Sequence, residues 1–361
     1  MEMYEKILIN VIIYHYKILL RKNLVSDIMK ECRVSVLVTF YNQEKYVNKA
    51  LESIISQKTN FGIKIIIGDD GSSDGTHNII DSWLIKYPDM IELHIMDRDN
   101  NPFVPGFRAS QNRLNLLNFV NTEYFIYLDG DDYFDYDLKL QHQVDILDNP
   151  SNIDCVACGH NINMLFNDGS LKPFTKLKEG KLDPKKYWKY DYIHTDTLLI
   201  RSNVISTIDF CSIKNHFNDV LITYSIIQSG KIYCIPKCWA VYVQTGDGIW
   251  TSGKAVINLI RNMMIYDLCN RINPKFRQQT NIHFYETWRK LYKIRKEINP
   301  DKLELLSKEA HDNNLKNAYI WIHYPELSLF SKLAVFFRMV LLAIIKYTDY
   351  IFVRPFTYNR K

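Results

Sequence analysis

Short apolar runs that stop at polar clusters alternate with stretches of helical spacing through the first 150 residues or so. Arg33-Val34-Ser35-Val36-Leu37-Val38-Thr39 reads as a β-strand ending at Phe40-Tyr41-Asn42. Val47, Leu51, Ile54 and Ile55 then share one face of a helix within Glu44 to Gln57. Phe61 to Gly68 predicts a second strand with the core Ile63-Lys64-Ile65-Ile66-Ile67, breaking at Asp69-Asp70-Gly71-Ser72-Ser73-Asp74-Gly75 before a helix over Thr76 to Lys86. A short strand at Ile91 to Ile95, a helix near Arg113 to Asn121 and a strand at Tyr124 to Leu128 continue the alternation. Strands that alternate with helices imply βα units and an α/β fold with a mostly parallel sheet buried on both faces. In such sheets ligands bind beyond the carboxyl ends of the strands.

The second half predicts strands near Cys155 to Asn163, Thr197 to Arg201, Ile232 to Ile235 and Trp239 to Gln244, with a helix from Asp219 to Gln228 ended by Ser229-Gly230. The glycine-rich segment Thr245-Gly246-Asp247-Gly248-Ile249-Trp250-Thr251-Ser252-Gly253 has the composition of a mobile lid. From Lys254 the chain turns helical and basic, and residues 4–30 read as a helix of mixed apolar and basic character. Leu327 to Phe356 is strongly apolar but is interrupted by Lys332, Arg338 and Lys346. A spanning helix needs roughly 18 uninterrupted apolar residues. The interrupted pattern suits a helix lying in a membrane interface with its cations reaching to headgroups, the alternative being a helix packed on the domain.

Composition changes this picture little. The 361 residues are 47% apolar and 24% charged with a net charge of +5, and no Arg/Lys-rich tract points to nucleic acid. The length suggests two domains or one domain with appendages. Seven scattered cysteines include Cys155-x-x-Cys158 and Cys234-x3-Cys238. Their spacing admits a four-thiolate zinc site, but reduced thiols acting as small hydrophobes in a reducing cytosol fit the apolar surroundings better. Glu2, Glu5, His15 and Lys17 do not suit a secretory signal.

The candidate chemistry lies at the strand ends. Asp129, Asp131 and Asp132 crowd three carboxylates into four residues where the Tyr124 strand surfaces, which is tolerable only with solvation, hydrogen bonds or a cation. Hard cations such as Mg2+ and Mn2+ take oxygen ligands and commonly share their shell with substrate phosphates. Thr39 to Asn42, Asp69 to Ser72 and Asp129 to Asp132 are three polar strand ends aimed at one crevice. Neither a dinucleotide glycine fingerprint nor a phosphate-cradling glycine loop is present.

With these three motifs in order, the chain resembles the family 2 glycosyltransferases of the GT-A fold over approximately Val34 to Gly253. Gly68-Asp69-Asp70-Gly71-Ser72-Ser73-Asp74-Gly75-Thr76 is similar to that family's V-D-D-G-S-x-D-G-T, with Gly68 for Val, and Leu128 to Tyr133 to its metal motif. Gly130-Asp131-Asp132-Tyr133-Phe134, Leu138-Lys139-Leu140-Gln141-His142-Gln143-Val144-Asp145, Gly230-Lys231-Ile232 and Gly246 to Ser252 resemble a bacterial surface-polysaccharide subgroup. The resemblance implies an N-terminal extension over 1–32, a GT-A domain over 33–253 divided near 150 into nucleotide and acceptor halves, and a helical region over 254–361.

It also implies roles. Thr39, Tyr41 and Asp70 would contact base and ribose, Asp70 accepting the imide N–H of a uracil or thymine. Asp129 and Asp131 would face the diphosphate and its Mn2+ or Mg2+, with Asp131 the direct ligand, Asp132 near the sugar, and Asn112 and Arg113 on the donor side. Asp219 would be the base of a single inverting displacement, where without the resemblance it reads as a charge offsetting a helix dipole. Gly248 and Trp250 would belong to the lid. Asn218 stands for a frequent acidic residue, Phe134 for a frequent Trp, and Gln244 and Thr245 for basic Arg and His, so that either Lys254 takes over their part or turnover is slower. The implied partners are a UDP- or dTDP-type sugar and a saccharide or lipid-linked acceptor in capsule or lipopolysaccharide synthesis. The implied location is the cytoplasm, peripheral at the inner membrane face. A nucleotidyltransferase and a degenerate sugar-binding protein are the competing readings; Thr39-Phe40-Tyr41-Asn42 lacks the basic glycine loop of the first.

Overall fold

The computed structural model describes residues 31–96, 107–184, 193–208, 218–245, 255–272, 274–294, 300–312 and 314–353. The expected helix at 4–30, Gly248 and Trp250 of the lid, and Lys254 lie outside the described residues.

The predicted alternation is present as β1 (Cys32–Phe40), α1 (Val47–Ile55), β2 (Gly62–Asp69), α2 (Thr76–Lys86), β3 (Ile91–Ile95), α3 (Phe107–Leu116) and β4 (Tyr124–Asp129). It continues as β5 (Tyr133–Phe134), α4 (Lys139–Asp148), β6 (Cys155–Leu165), β7 (Leu171–Pro173), β8 (Gly180–Leu182), β9 (Leu199–Arg201), α5 (Asp219–Ile227) and β10 (Lys231–Val243). One sheet orders its strands β3-β2-β1-β4-β9-β6-β10-β5, with β7 beside β6 and β8 beside β10. The β3-β2-β1-β4 and β6-β10 ladders are parallel, and β9 runs antiparallel to both β4 and β6, joining them. The fold is α/β, with a mostly parallel central sheet flanked by helices.

Side chains alternate across β1, because successive strand residues point to opposite faces. Val34, Val36 and Val38 pack with α1, α2 and α4 on one face, and Leu37 joins Ile66, Phe125 and Tyr127 on the other. The second cluster runs without a break into the C-terminal helices α6 (Ala255–Ile272), α7 (Arg277–Ile294), α8 (Pro300–Asp312), α9 (Lys316–Ile322) and α10 (Leu329–Val353). Asp267 of α6 accepts from Asn317 N at 2.7 Å and Ala318 N at 3.4 Å, so a carboxylate from another helix caps α9.

Three expectations change. The helix placed near 113–121 begins at Phe107 and closes in a 3-10 turn at Leu117–Phe119. Its polar residues Arg108, Asn112 and Arg113 serve the sheet edge, so no apolar stripe announced its start. The two strands at 232–235 and 239–244 are one strand, β10, whose register against β6 shifts between Ile235 and Cys238 and again before Val241. Pro236 has no N–H to give the ladder, which accounts for the interruption. The zinc alternative fails geometrically: Cys155 and Cys158 belong to the apolar cluster on one sheet face and Cys234 to that on the other.

No described helix is long and apolar enough to cross a membrane. Along α10, Met339 and Leu342 are buried, whereas Phe330, Leu333, Phe336, Phe337, Leu341 and Ile344 are exposed.

Candidate active site

Parallel pairing brings three carboxyl strand ends to one edge. Thr39 stands level with Gly68 of β2 and Asp129 of β4, and its hydroxyl lies 3.5 Å from Asp129 Oδ1. Beyond them the β1 and β2 loops lock together. Asn42 N donates to Ser72 Oγ at 3.0 Å, Ser73 N to Asn42 Oδ1 at 2.8 Å, Gln43 N to Thr76 Oγ1 at 2.8 Å and Gly75 N to Glu44 Oε2 at 2.8 Å. Gly71 supplies the left-handed φ of 65° that the turn requires. Much of the Asp69-to-Thr76 motif is thus spent on fixing the two loops, with Asp69 accepting from Ser72 Oγ at 2.6 Å.

The polar face of α3 supplies the cations. Arg108 Nε donates to Asp70 Oδ1 at 2.6 Å, both groups being largely buried. One turn on, Asn112 is 2% exposed and gives its amide N–H to Gly68 O at 2.9 Å. A Cβ at position 68 would stand 2.1 Å from Asn112 Oδ1, so the glycine and the asparagine depend on each other. Arg113 holds both oxygens of Asp129, at 2.5 and 2.7 Å, and its other nitrogen lies 3.6 Å from Asp219 Oδ1. Burial opposes the Arg113 charge, but Asp129 and Asp219 outweigh it and raise its pKa. Burial likewise pushes Asp129 up, and Arg113 more than reverses this to leave it below the usual carboxylate range.

Asp219 is the first residue of α5, and Asn218 caps that helix by accepting from Leu221 N at 3.2 Å. The residue that departs from the acidic pattern therefore performs the capping. Asp219 Oδ1 is buried with no hydrogen-bond donor among the described residues, an oxygen able to accept a proton.

For Asp131 the compensation is too weak: burial and the Asp129 carboxylate outweigh the pull of Arg113 and push it up to about 7. Asp132 is 1% exposed, accepts from Val243 N at 2.9 Å, and is raised by burial and by Asp196 and Asp131. Asp196 Oδ2 accepts from Asp129 N at 3.1 Å, and its pKa is pushed up to about 6 by burial and by Asp129. The 3-10 turn Thr195–Thr197 that carries it is anchored by α4. Gln143 Nε2 donates to Cys158 O at 2.7 Å and Thr197 O at 2.8 Å, while the buried Lys139 donates to Gln143 Oε1 at 2.9 Å.

The structure brings Thr39, Asp70, Asn112, Arg113, Asp129, Asp131, Asp132 and Asp219 to this edge, and Tyr41 stands 41% exposed beside it. Arg108, His194 and Asp196 were missed. Arg108 lies four residues before Asn112, a helical spacing that places both on one face. Asp196 sits in a polar cluster, His194-Thr195-Asp196-Thr197, at the start of a strand rather than at its end.

Residues 35–209 match the profile of glycosyl transferase family 2. An uncharacterized protein of Mycobacterium tuberculosis is 28% identical over 228 residues, 61% of each chain. A processive diacylglycerol beta-glycosyltransferase of Mycoplasma pneumoniae is 28% identical over 192 residues, 51% of this chain and 54% of the relative. The matches thus span less than two thirds of these curated relatives. Residues 1–349 of TarS from S. aureus, solved with UDP, superpose with a TM-score of 0.52 at 14% identity, covering 81% of this chain and 91% of that one. At that identity the likeness is one of fold.

Proposed function

We infer that this chain, which carries a family 2 glycosyltransferase domain over residues 35–209, moves a sugar from a nucleotide-diphosphate donor to a hydroxyl acceptor with inversion. The observation that carries the reading is the Arg113 bridge: one half-buried guanidinium links Asp129, at the donor strand end, to Asp219, across the cleft. In this reading Thr39 and Tyr41 hold the nucleoside and Asp70, steadied by Arg108, accepts the imide N–H of uracil or thymine. Asp131 and Asp129 would hold a divalent cation. The Asp131 carboxylate fits that part, because burial and the neighbouring Asp129 and Asp196 carboxylates outweigh the partial offset from Arg113. Such an ion, when bound, neutralises charge on the departing diphosphate.

Asp219 takes the proton of the acceptor hydroxyl. That oxygen bonds to the anomeric carbon as the bond from carbon to phosphate oxygen breaks, and the nucleoside diphosphate leaves with the electron pair. Arg113, 3.6 Å away, orients the base without consuming Oδ1 in a hydrogen bond. The exposed apolar residues of α10 support an acceptor met at a membrane surface, as a saccharide or lipid-linked precursor of a surface polysaccharide would be. This reading places the chain peripherally at the inner membrane face.

The test is incubation with a panel of nucleotide sugars and Mn2+, with and without chelator, on wild type and Asp219→Asn. The expected result is metal-dependent transfer or slow hydrolysis in wild type. The variant should lose about a hundredfold or more of it at nearly unchanged donor affinity. Loss of donor binding in the variant would sink the base assignment, and absence of any turnover or donor binding in wild type would sink the enzyme reading.

A further inference from the structure

Beneath the Asp129–Asp131 turn lies a cluster to which the proposed proton transfer gives no part. Asp132, His194 and Asp196 each present one ligand atom, and these atoms lie within 4.8 Å of one another. All three residues are buried, at 1%, 6% and 1% exposure. Each carboxylate spends one oxygen on a backbone N–H: Asp132 Oδ1 on Val243 N and Asp196 Oδ2 on Asp129 N. The other oxygen of each, Asp132 Oδ2 and Asp196 Oδ1, is buried with no hydrogen-bond partner among the described residues. Leaving a buried polar atom unsatisfied costs about 1–3 kcal/mol, and more for a charged one. Two in one pocket need a common partner.

The neighbouring cation does not supply it, because Arg113 is engaged by Asp129 and Asp219. His194 Nδ1 stands 3.7 Å from Asp196 Oδ1, and its ring lies against Tyr242, with centroids 4.8 Å apart. Two ligands each about 2.1 Å from one ion stand about 3–4 Å apart, so the three groups need only small shifts to share a cation.

We propose that Asp132, His194 and Asp196 form a divalent-cation site that fills without donor, separate from the ion held with the diphosphate by Asp131. Its nitrogen-and-oxygen donor set suits Mn2+ or Zn2+ over Mg2+ or Ca2+, which prefer oxygen alone. The ion positions rather than reacts. Through Val243 N it ties the end of β10, which leads toward the 246–253 segment, to the donor turn, and through Asp129 N it fixes that turn itself.

The full chain is stripped with chelator, dialysed, and titrated with Mn2+ or Zn2+ in the absence of any nucleotide. One ion per chain is expected, and the Mn2+ form should show nitrogen coupling from imidazole by electron spin-echo spectroscopy, a signature that an all-carboxylate site lacks. His194→Gln and Asp196→Asn should weaken this binding at least tenfold, and Asp131→Asn should leave it intact, circular dichroism confirming the fold of each. No donor-free binding, no nitrogen coupling, or binding lost in Asp131→Asn but kept in Asp196→Asn would overturn the site; the first result would leave the two carboxylates sharing a proton. The nitrogen signature is read on wild type alone, so an unfolded variant does not block the test. The donor-panel assay reports independently, so the two readings fail separately.

Discussion

Replacing Asp131 with Asn should stabilise the ligand-free protein in chelator above neutral pH and change little near pH 4. Burial and the adjacent Asp129 carboxylate raise the Asp131 pKa from 3.8 to about 7. Between those values the native state keeps a proton that the unfolded chain has released. Stability from this residue is therefore fully present below the unfolded pKa and is lost as pH rises through about 7. At about 1.36 kcal/mol per pKa unit, a shift of roughly three units sets a ceiling near 4 kcal/mol at pH 8, lowered by any relaxation of the turn. Asparagine keeps the shape and cannot ionise. Urea unfolding of wild type and variant in chelator, from pH 4 to pH 8, should show a gap that opens over this window and then levels. A gap of constant size across the range, or one that closes as pH rises, would refute the account of Asp131 as an under-compensated carboxylate kept for a cation.

Gly68→Ala should cost about 1–3 kcal/mol in urea unfolding through the clash with Asn112. Adding Asn112→Ala should recover part of that cost, a coupling that a double-mutant cycle reads directly. Arg113→Met leaves Asp129 and Asp219 without their cation and should cost about 3–5 kcal/mol with loss of transfer. Arg113→Lys keeps the charge but not the fork that reaches both carboxylates, so it should fold with a depressed turnover number; full activity in Arg113→Lys would deny the bridge its role. On α10, Phe336→Ser with Phe337→Ser should reduce co-sedimentation with anionic vesicles and leave turnover of a water-soluble acceptor unchanged. Vesicle binding equal to wild type would remove α10 from the membrane contact.

The apolar and polar periods along the chain determined much of this protein on their own. Buried parallel strands repeat Val and Ile densely enough to be seen, and α2 and β3 fall on the residues the spacing predicts. Three polar strand ends announced the site, because a parallel sheet delivers the carboxyl ends of its strands to one edge whatever their distance in sequence. The same logic hid Asp196. β9 runs antiparallel, so it brings its beginning, not its end, to that edge, and no local pattern records the direction in which a three-residue strand pairs. Strand direction is a property of the sheet.

Tertiary structure also decided which motif residues face the cleft. Gln143 and Lys139 have the composition of a solvated helix face, yet both are fully buried and hold the turn bearing Asp196. Gly68, a departure from the family pattern by sequence, is the space that Asn112 fills from 44 residues away. Arg113 joins Asp129 to Asp219 only after folding. Sequence fixes which residues are polar and which segments are buried, because period and composition are local. Which polar groups are spent on one another, and which are left for a ligand, depends on distances that only the folded chain sets.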